Sequence, residues 1–154
     1  MSLDELYQDV ILDHYKKPRC HGSILNPDCR SSLHNPLCGD TIDLMVSIQD
    51  GKVNDIAFSG HGCSISQAGA SMMTELCKGK SVQEVKDLCK VFRSMMRGEK
   101  SSQEIQVLGD AVALEGVRRF SARIKCALLA WDALEKCMEQ AEDLSCPTES
   151  KIPA

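Results

Sequence analysis

The spacing of apolar residues in the first part of the chain is that of an amphipathic helix. Apolar side chains recur every three or four positions, which predicts a helix from Leu3 to Lys17 that ends because Pro18 cannot continue it. Ser2 and Glu5 have the spacing of a capping box at its start. The first predicted element is therefore a single helix.

After a stretch rich in proline and asparagine, the apolar spacing changes to every second residue. The alternating positions are Ile42, Leu44, Val46 and Ile48. This period of two predicts a strand with one buried face, beginning near Thr41. Asp50 and Gly51 then predict a two-residue turn into a second strand from Val53 to Gly60. A short strand around Cys29 to Asn35 precedes this hairpin.

Helical spacing returns in the second half of the chain, where capping residues and glycines predict further helices. These run from Ser64 or Ser66 to Lys78, from Ser81 to just before Gly98, from Asp110 to Arg118, and from about Ile124 to Met138. Early strands and late helices predict an α+β fold, in which a small antiparallel sheet of about three strands packs against helices. We expect one domain over residues 1–144 and a disordered tail over residues 145–154.

The composition narrows the class of protein. With 18 Lys and Arg against 22 Asp and Glu, the net charge is −4, which is the wrong sign for a protein that binds nucleic acid through its phosphates. The chain has no apolar run long enough for a membrane span and no secretory signal, so we expect a cytoplasmic protein with no membrane partner. Nine cysteines, an odd number, then indicate reduced thiols used for metal binding or sulfur chemistry.

The turn at Asp50-Gly51 fixes which residues of the hairpin face each other. Extended to the open end of the hairpin, this register places Cys38 opposite Cys63. It likewise places Asp40 opposite His61, so four potential metal ligands project from one side. Opposed Cβ atoms lie ~4.5 to 5.5 Å apart, a separation that one tetrahedral ion can bridge, although a β-bulge would shift the register.

A further cysteine, Cys126, lies near the start of the last predicted helix. Unpaired backbone N–H groups at such a position favour a thiolate. Arg123 and Lys125 place positive charge beside it. These cations would offset the negative charge of three thiolates and a carboxylate around a divalent ion.

Three segments of the chain resemble the cysteine motifs of the IscU and SufU family of iron–sulfur cluster assembly proteins. They are Asn35-Pro-Leu-Cys-Gly-Asp40, Gly60-His-Gly-Cys-Ser-Ile-Ser66 and Ala122-Arg-Ile-Lys-Cys-Ala-Leu-Leu-Ala-Trp131. Their order and separations also match, and the similarity extends from Asp13-His-Tyr-Lys-Lys-Pro18 in the first helix to about Glu139. The resemblance implies the fold of that family, which is the α+β arrangement predicted above.

Within this family the chain is similar to the SufU branch. The IscU branch has His immediately before its third cysteine, where this chain has Lys125, and the 63 residues from Cys63 to Cys126 fit the longer SufU spacing. One position departs from the SufU pattern, because the motif commonly reads Gly-Glu-Gly-Cys and His61 occupies its second position here. His61 is therefore either a metal ligand, a group that orients Asp40, or a residue with no role at the site.

The resemblance implies a metal site and a function in sulfur transfer. Carried over by motif, the metal ligands are Cys38, Asp40, Cys63 and Cys126, and zinc is the metal in the SufU-type interpretation. Cys38 is then the acceptor of persulfide sulfur from a SufS-like cysteine desulfurase, with Cys126 as the alternative acceptor. The sulfur continues to downstream iron–sulfur assembly or to apo-protein acceptors. As an enzyme, such a protein is at most a zinc-dependent sulfurtransferase.

Two other functions stay open at this point. The first is a non-enzymatic scaffold that assembles and transfers a [2Fe-2S] cluster, with iron or the cluster in place of zinc. The second is a structural zinc module for protein interactions. We expect the cysteines at apolar helical positions to lie in the core, namely Cys77, Cys89 and Cys137, and we assign no role to Cys20, Cys29 and Cys146. Structural or surface roles are expected for His14, His21 and His34.

Overall fold

One antiparallel sheet with the strand order β1-β2-β3 forms the first part of the fold. The structure is a computed structural model that describes residues 3–145. The strands are β1 (Cys29–Asn35), β2 (Asp40–Gln49) and β3 (Lys52–His61). The helices are α1 (Leu3–Lys16), α2 (Ser64–Cys77), α3 (Val82–Met96) and α4 (Ser121–Ser145), with a 3₁₀ segment (Glu104–Arg119) before α4. The predicted α+β fold is confirmed.

Local sequence signals placed most of these elements correctly. The hairpin turn has positive φ at both central residues, 54° at Asp50 and 73° at Gly51, which is the conformation that a type I′ turn requires. The capping box of α3 is formed as predicted. Ser81 Oγ accepts from the Glu84 backbone N–H at 3.0 Å, and Glu84 Oε1 accepts from the Ser81 backbone N–H at 2.9 Å.

Two helical segments differ from the prediction at their N-terminal ends. Helix α2 begins at Ser64 with Cys63 as its N-cap residue, and no side chain caps this end. The prediction that a serine caps α2 is therefore wrong, because Ser66 Oγ instead donates to the Cys63 carbonyl oxygen at 3.1 Å. The 3₁₀ segment begins at Glu104, earlier than the predicted helix, and is kinked at Gly109, where φ is 57° and ψ is −132°.

The pairing of β2 with β3 contains a β-bulge. Asn54 is an extra residue on β3, so the register shifts by one residue part-way along the hairpin. Beyond the bulge His61 pairs with Thr41. The prediction that His61 lies opposite Asp40 is therefore wrong, because it assumed an unbroken ladder from the turn.

The core lies between the sheet and the helices. Helices α2 and α4 contact the sheet, α1 packs on α2, and α3 packs on α4. Phe92 of α3 stacks on Trp131 of α4 with ring centroids 4.4 Å apart, and both rings are fully buried. The three cysteines predicted for the core are buried, namely Cys77, Cys89 and Cys137. Four methionines are buried with them, namely Met72, Met73, Met95 and Met96. Ser2 and tail residues 146–154 lie outside the described residues, so the structure does not test the predictions made for them.

The side chain of Gln140 ties α4 to the outer edge of strand β1. Its Oε1 accepts from the Arg30 backbone N–H at 3.3 Å, and its Nε2 donates to the Arg30 carbonyl oxygen at 3.1 Å. Helix α4 therefore runs alongside β1 and contributes to its hydrogen bonding. None of the helices within residues 3–145 has the length and apolar character needed to cross a membrane.

Candidate metal centre

Cys38 lies in a short turn that joins β1 to β2. The Cys38 backbone N–H donates to the Asn35 carbonyl oxygen at 3.3 Å, which closes the turn. Gly39 follows with φ of 69°, a left-handed conformation that glycine adopts without strain. Cys38 is half-buried. The loop that carries this thiol is thus short and hydrogen-bonded, and it leads directly into Asp40.

Asp40 is a fully buried carboxylate with one oxygen left unsatisfied. Its Oδ1 accepts from the Cys63 backbone N–H at 2.8 Å. Within the described residues its Oδ2 has no hydrogen-bond partner. Burial alone would raise the pKa of Asp40, but the Cys63 N–H and the polar side chains around it outweigh burial, so the pKa lies below its ordinary value. An ionised buried oxygen without a donor fits a cation at this point.

Cys126 brings a second sulfur to the same place from helix α4. It is fully buried, and its Sγ lies 3.2 Å from the Cys38 Sγ. The ligand atoms of Cys38, Asp40 and Cys126 all lie within 4.8 Å of one another. Burial raises the pKa of Cys126, and the nearby Cys38 and Asp40 raise it further. A cation is therefore needed to hold this thiol as a thiolate in so buried a position.

Cys63 lies at the edge of this group. Its thiol is half-buried and falls outside the three whose ligand atoms are all mutually close. As the N-cap residue of α2 it occupies the positive end of that helix dipole, where a thiolate is favoured. Cys126, by contrast, is the sixth residue of α4 and lies beyond the first turn. The structure thus brings three of the four predicted ligands together, and the assignment of all four as metal ligands stays a prediction.

Gly62 allows the backbone before Cys63 to pass close to Asp40. A Cβ at Gly62 would lie 2.8 Å from the Asp40 Cα and 2.9 Å from Ser66 Oγ, and φ there is +152°. The sequence pattern alone does not show that Gly62 lies against Asp40. Its contact with Asp40 depends on the true register, which could not be read from the residue pattern.

His61 faces away from the clustered ligands. Its Nδ1 lies 3.3 Å from Thr41 Oγ1, and its backbone N–H donates to the same oxygen at 3.2 Å. Neighbouring strand residues point to opposite faces, so the side chain of Thr41 lies on the other face from that of Asp40. The exposed His61 therefore does not meet Asp40 as the extrapolated register had predicted.

Positive charge lies beside the thiols. The nearby Cys63, Cys126 and Cys38 raise the pKa of Arg123, whose guanidinium is exposed. Lys125 is exposed one residue before Cys126 and lines a groove of about 350 Å³ beside the Cys38 turn. These positions agree with the expected offset of negative charge, and that role stays a prediction for both residues.

Residues 6–127 match the family described as the NifU-like N-terminal domain. The chain belongs to this family. A zinc-dependent sulfurtransferase SufU from Bacillus subtilis is 48% identical to this NifU-like chain over 141 residues, which cover 92% of the chain and 95% of that protein. An iron–sulfur cluster assembly scaffold protein IscU from Streptococcus pyogenes is 39% identical over 151 residues, covering 98% of the chain and 94% of that protein. The predicted similarity to the IscU and SufU family is confirmed.

A solved structure has the same fold as this NifU-like chain. It is the crystal structure of a putative iron–sulfur cluster assembly scaffold protein for the SUF system from Fervidobacterium islandicum. It superposes with a TM-score of 0.80 at 34% sequence identity, covering 89% of this chain and 99% of that one. The three-stranded sheet with its helices is therefore an arrangement that this NifU-like chain shares with an IscU/SufU-type protein.

A second cluster of metal-ligating side chains in the NifU-like domain is already satisfied within the protein. His14 is fully buried, with Nδ1 2.7 Å from Ser71 Oγ and Nε2 2.8 Å from Asp110 Oδ2. The third member, Glu75, has Arg19 Nε at 3.6 Å. Both ring nitrogens of His14 thus have hydrogen-bond partners, and the Arg19 guanidinium already supplies a positive charge beside Glu75. The cluster therefore joins α1, α2 and the 3₁₀ segment, in agreement with the structural role expected for His14.

Proposed function

We propose that this protein is a metal-bound sulfur acceptor in iron–sulfur cluster assembly, with Cys38 taking persulfide sulfur from a cysteine desulfurase. The observation that carries the proposal is that the ligand atoms of Cys38, Asp40 and Cys126 lie within 4.8 Å of one another, while the buried Asp40 Oδ2 has no hydrogen-bond partner among the described residues. The zinc-dependent sulfurtransferase SufU among its relatives supports the same function.

The donor set fits zinc. Cys38, Asp40 and Cys126 would hold the ion, and Cys63 completes a set of three sulfurs and one oxygen, which zinc accepts in tetrahedral geometry. Iron binds the same donors, so the choice of zinc rests on the SufU relative. When bound, zinc supplies the positive charge that keeps buried thiols deprotonated.

The transfer step needs no oxidant or reductant. The Cys38 thiolate attacks the outer sulfur of the desulfurase persulfide, and a new sulfur–sulfur bond forms on Cys38. The sulfur–sulfur bond of the donor breaks, its cysteine leaves as a thiolate, and the persulfide proton stays with the transferred sulfur. Cys38 suits this step better than Cys126, because it is half-buried on a turn while Cys126 is fully buried in a helix. The sulfur then passes to downstream assembly proteins or apo-protein acceptors.

Mapping the persulfide tests this proposal directly. Zinc-loaded protein is mixed with a SufS-like cysteine desulfurase and cysteine under single-turnover conditions, and the modified residue is identified by mass spectrometry. We expect the extra sulfur on Cys38. The Cys38→Ser variant should accept none, whereas Cys77→Ser, a change at a fully buried cysteine away from the cluster, should accept as much as wild type. Sulfur on Cys126 alone would reassign the acceptor, and sulfur on no cysteine would refute the relay function.

A scaffold function is the second candidate. It is favoured by the relative named as an iron–sulfur cluster assembly scaffold protein IscU. Three thiolates and a carboxylate can also ligate a [2Fe-2S] cluster. A colourless zinc protein that accelerates desulfurase turnover supports the relay, whereas a brown protein that passes its cluster to an apo-protein supports the scaffold. A structural zinc module predicts neither result.

A further inference from the structure

Asn35 is a buried amide between the two sulfurs of the site. It is the last residue of β1, is 5% exposed, and pairs with Asp40 in the β1–β2 ladder. A buried side-chain amide has an acceptor oxygen and an N–H donor group that both require partners. In Asn35 these two ends have different partners, one in the Cys38 turn and one on Cys126.

The oxygen end of Asn35 builds the turn that carries Cys38. Oδ1 accepts from the Leu37 backbone N–H at 3.2 Å, while the Asn35 carbonyl oxygen accepts from the Cys38 N–H at 3.3 Å. A side-chain oxygen that binds the backbone two residues later is the pattern of an Asx turn, which Asp and Ser can also form. This contact places Cys38 but does not touch its sulfur.

The nitrogen end of Asn35 reaches the other sulfur. Nδ2 donates to the Cys126 Sγ at 3.6 Å, and both groups are buried. Within residues 3–145, the hydrogen bond made by the Cys38 Sγ is with the Cys126 Sγ at 3.2 Å, and no amide donates to it. An N–H···S hydrogen bond withdraws electron density from the sulfur and fixes its position, as do other groups that orient metal ligands from outside the coordination sphere. The two adjoining sulfurs are therefore unequal.

We propose that Asn35 is a positioning residue that holds the Cys126 sulfur in place, so that Cys38 is the one that reacts first. This inference rests on the proposed function for its significance, since a sulfur relay needs one thiolate that stays on the metal and another that leaves the metal to accept the transferred sulfur. The single amide performs both tasks, because its oxygen presents Cys38 on the turn and its nitrogen restrains Cys126.

Variants at Asn35 separate its two contacts. Asn35→Ser and Asn35→Asp retain an oxygen for the Leu37 N–H but remove the amide N–H group that donates to Cys126, whereas Asn35→Ala removes both contacts. Gln103→Ser changes an exposed side-chain amide outside the sheet and the site, and serves as the matched control. Each zinc-loaded protein is treated with limiting iodoacetamide, and the ratio of label on Cys38 to label on Cys126 is measured by mass spectrometry. The cobalt-substituted proteins give a sulfur-to-metal charge-transfer band as a second readout.

In wild type and Gln103→Ser we expect Cys38 to be labelled in about tenfold excess or more over Cys126. In Asn35→Ser and Asn35→Asp the excess should fall by about tenfold, the order of effect seen when groups that orient a metal ligand are removed. The charge-transfer band should also shift in these variants. Unchanged labelling in both, with loss of preference only in Asn35→Ala, would show that Asn35 acts through the turn alone and would overturn the proposal.

Two further results bear on the proposal. Equal labelling of Cys38 and Cys126 in wild type would overturn it even if no Asn35 variant folds. No desulfurase is present in this experiment, so its outcome is separate from that of the sulfur-relay proposal. A strong Cys38 preference that depends on Asn35, in a protein that never receives persulfide, would support the positioning role and refute the relay.

Discussion

The Cys63 backbone N–H donates a 2.8 Å hydrogen bond to the Asp40 Oδ1, and this bond closes the open end of the β2–β3 hairpin. The contact lies beyond the last pair of the ladder, Thr41 with His61. It therefore continues the hairpin through a side chain instead of the backbone. Within residues 3–145 the other oxygen of the same carboxylate has no hydrogen-bond partner, so the residue that closes the hairpin keeps an oxygen for the proposed metal.

Gly62→Ala should lower both the stability of the fold and the affinity for zinc, because it disturbs the contact between Cys63 and Asp40. Its Cβ would collide with Asp40 and Ser66, whereas Gly22 has a similar φ of +149° and no atom within 4 Å of the position that a Cβ would take. Both substitutions carry backbone strain of about 1–3 kcal/mol, and the collision should add about 1–3 kcal/mol for Gly62→Ala. Denaturant unfolding and a zinc competition assay measure the difference. Equal losses in Gly62→Ala and the Gly22→Ala control would mean that the close approach to Asp40 does not matter.

His61→Ala should leave zinc binding unchanged within about twofold, because the imidazole lies with Thr41 on the face away from Asp40. Cys126→Ala serves as the positive control and should weaken binding by about tenfold or more. Chelator competition gives both affinities. If His61→Ala weakens zinc binding as much as Cys126→Ala does, His61 is a ligand and the site rearranges when the metal binds.

The core thiols Cys77 and Cys89 should not react with alkylating reagents in the folded protein. Burial raises the pKa of Cys77 to about 12, and burial also raises the pKa of Cys89. A raised thiol pKa keeps the unreactive protonated form at pH 8, so iodoacetamide should label the half-buried Cys38 and Cys63 of metal-free protein and leave Cys77 and Cys89 unlabelled. Labelling with and without denaturant, read by mass spectrometry, checks this. Equal rates for all four in native buffer would contradict it.

Arg93→Met should destabilise the contact between α3 and α4, and more at pH 7 than at pH 4. Arg93 Nε lies 2.7 Å from Glu135 Oε1, and its Nη2 also contacts Asp132. Burial raises the pKa of Asp132 while Arg93 lowers it. Without Arg93 the folded-state pKa of Asp132 rises further above its value in the unfolded chain. Folding then favours the protonated carboxyl, so the free energy of unfolding of Arg93→Met falls as the pH increases through the raised pKa.

We expect a loss of about 1 kcal/mol at pH 7 for Arg93→Met, since these side chains remain partly exposed. Arg97→Met is the matched control, because Arg97 pairs with Glu99 at 3.6 Å on an open surface. That change should cost no more than about 0.5 kcal/mol at either pH. Urea unfolding at pH 4 and pH 7 measures both variants. A loss for Arg93→Met that is independent of pH would contradict the role given to Asp132.

Predictions from the sequence succeeded where a few neighbouring residues determine the structure. Asp50-Gly51 specifies its own turn, and Ser81 with Glu84 specifies the start of α3. Both signals act over four residues or fewer, so no knowledge of the rest of the fold is needed. The three cysteine motifs indicated the family because their joint pattern is specific, and the comparisons confirmed that family.

The register at the site could not be predicted, because a single extra residue decides it. Asn54 looks like any polar strand residue in the sequence, yet its bulge moves His61 from Asp40 to Thr41. The error lay at the open end of the hairpin, where the site is. Asn35 was also missed as a contributor to the site. Its contact with Cys126 spans 91 residues of sequence, and no local pattern reports it.

The hydrogen bonds from the Gln140 side chain of α4 to strand β1 affect how copies of this protein interact with one another. A strand at the edge of a sheet offers unpaired backbone groups to any other chain, which is a common route to aggregation. At Arg30 the amide of Gln140 occupies one donor and one acceptor as a neighbouring strand would. The final turns of α4 therefore block another chain from pairing with the edge of β1 at Arg30. A protein truncated before Gln140 would leave the Arg30 backbone N–H and carbonyl oxygen without this partner.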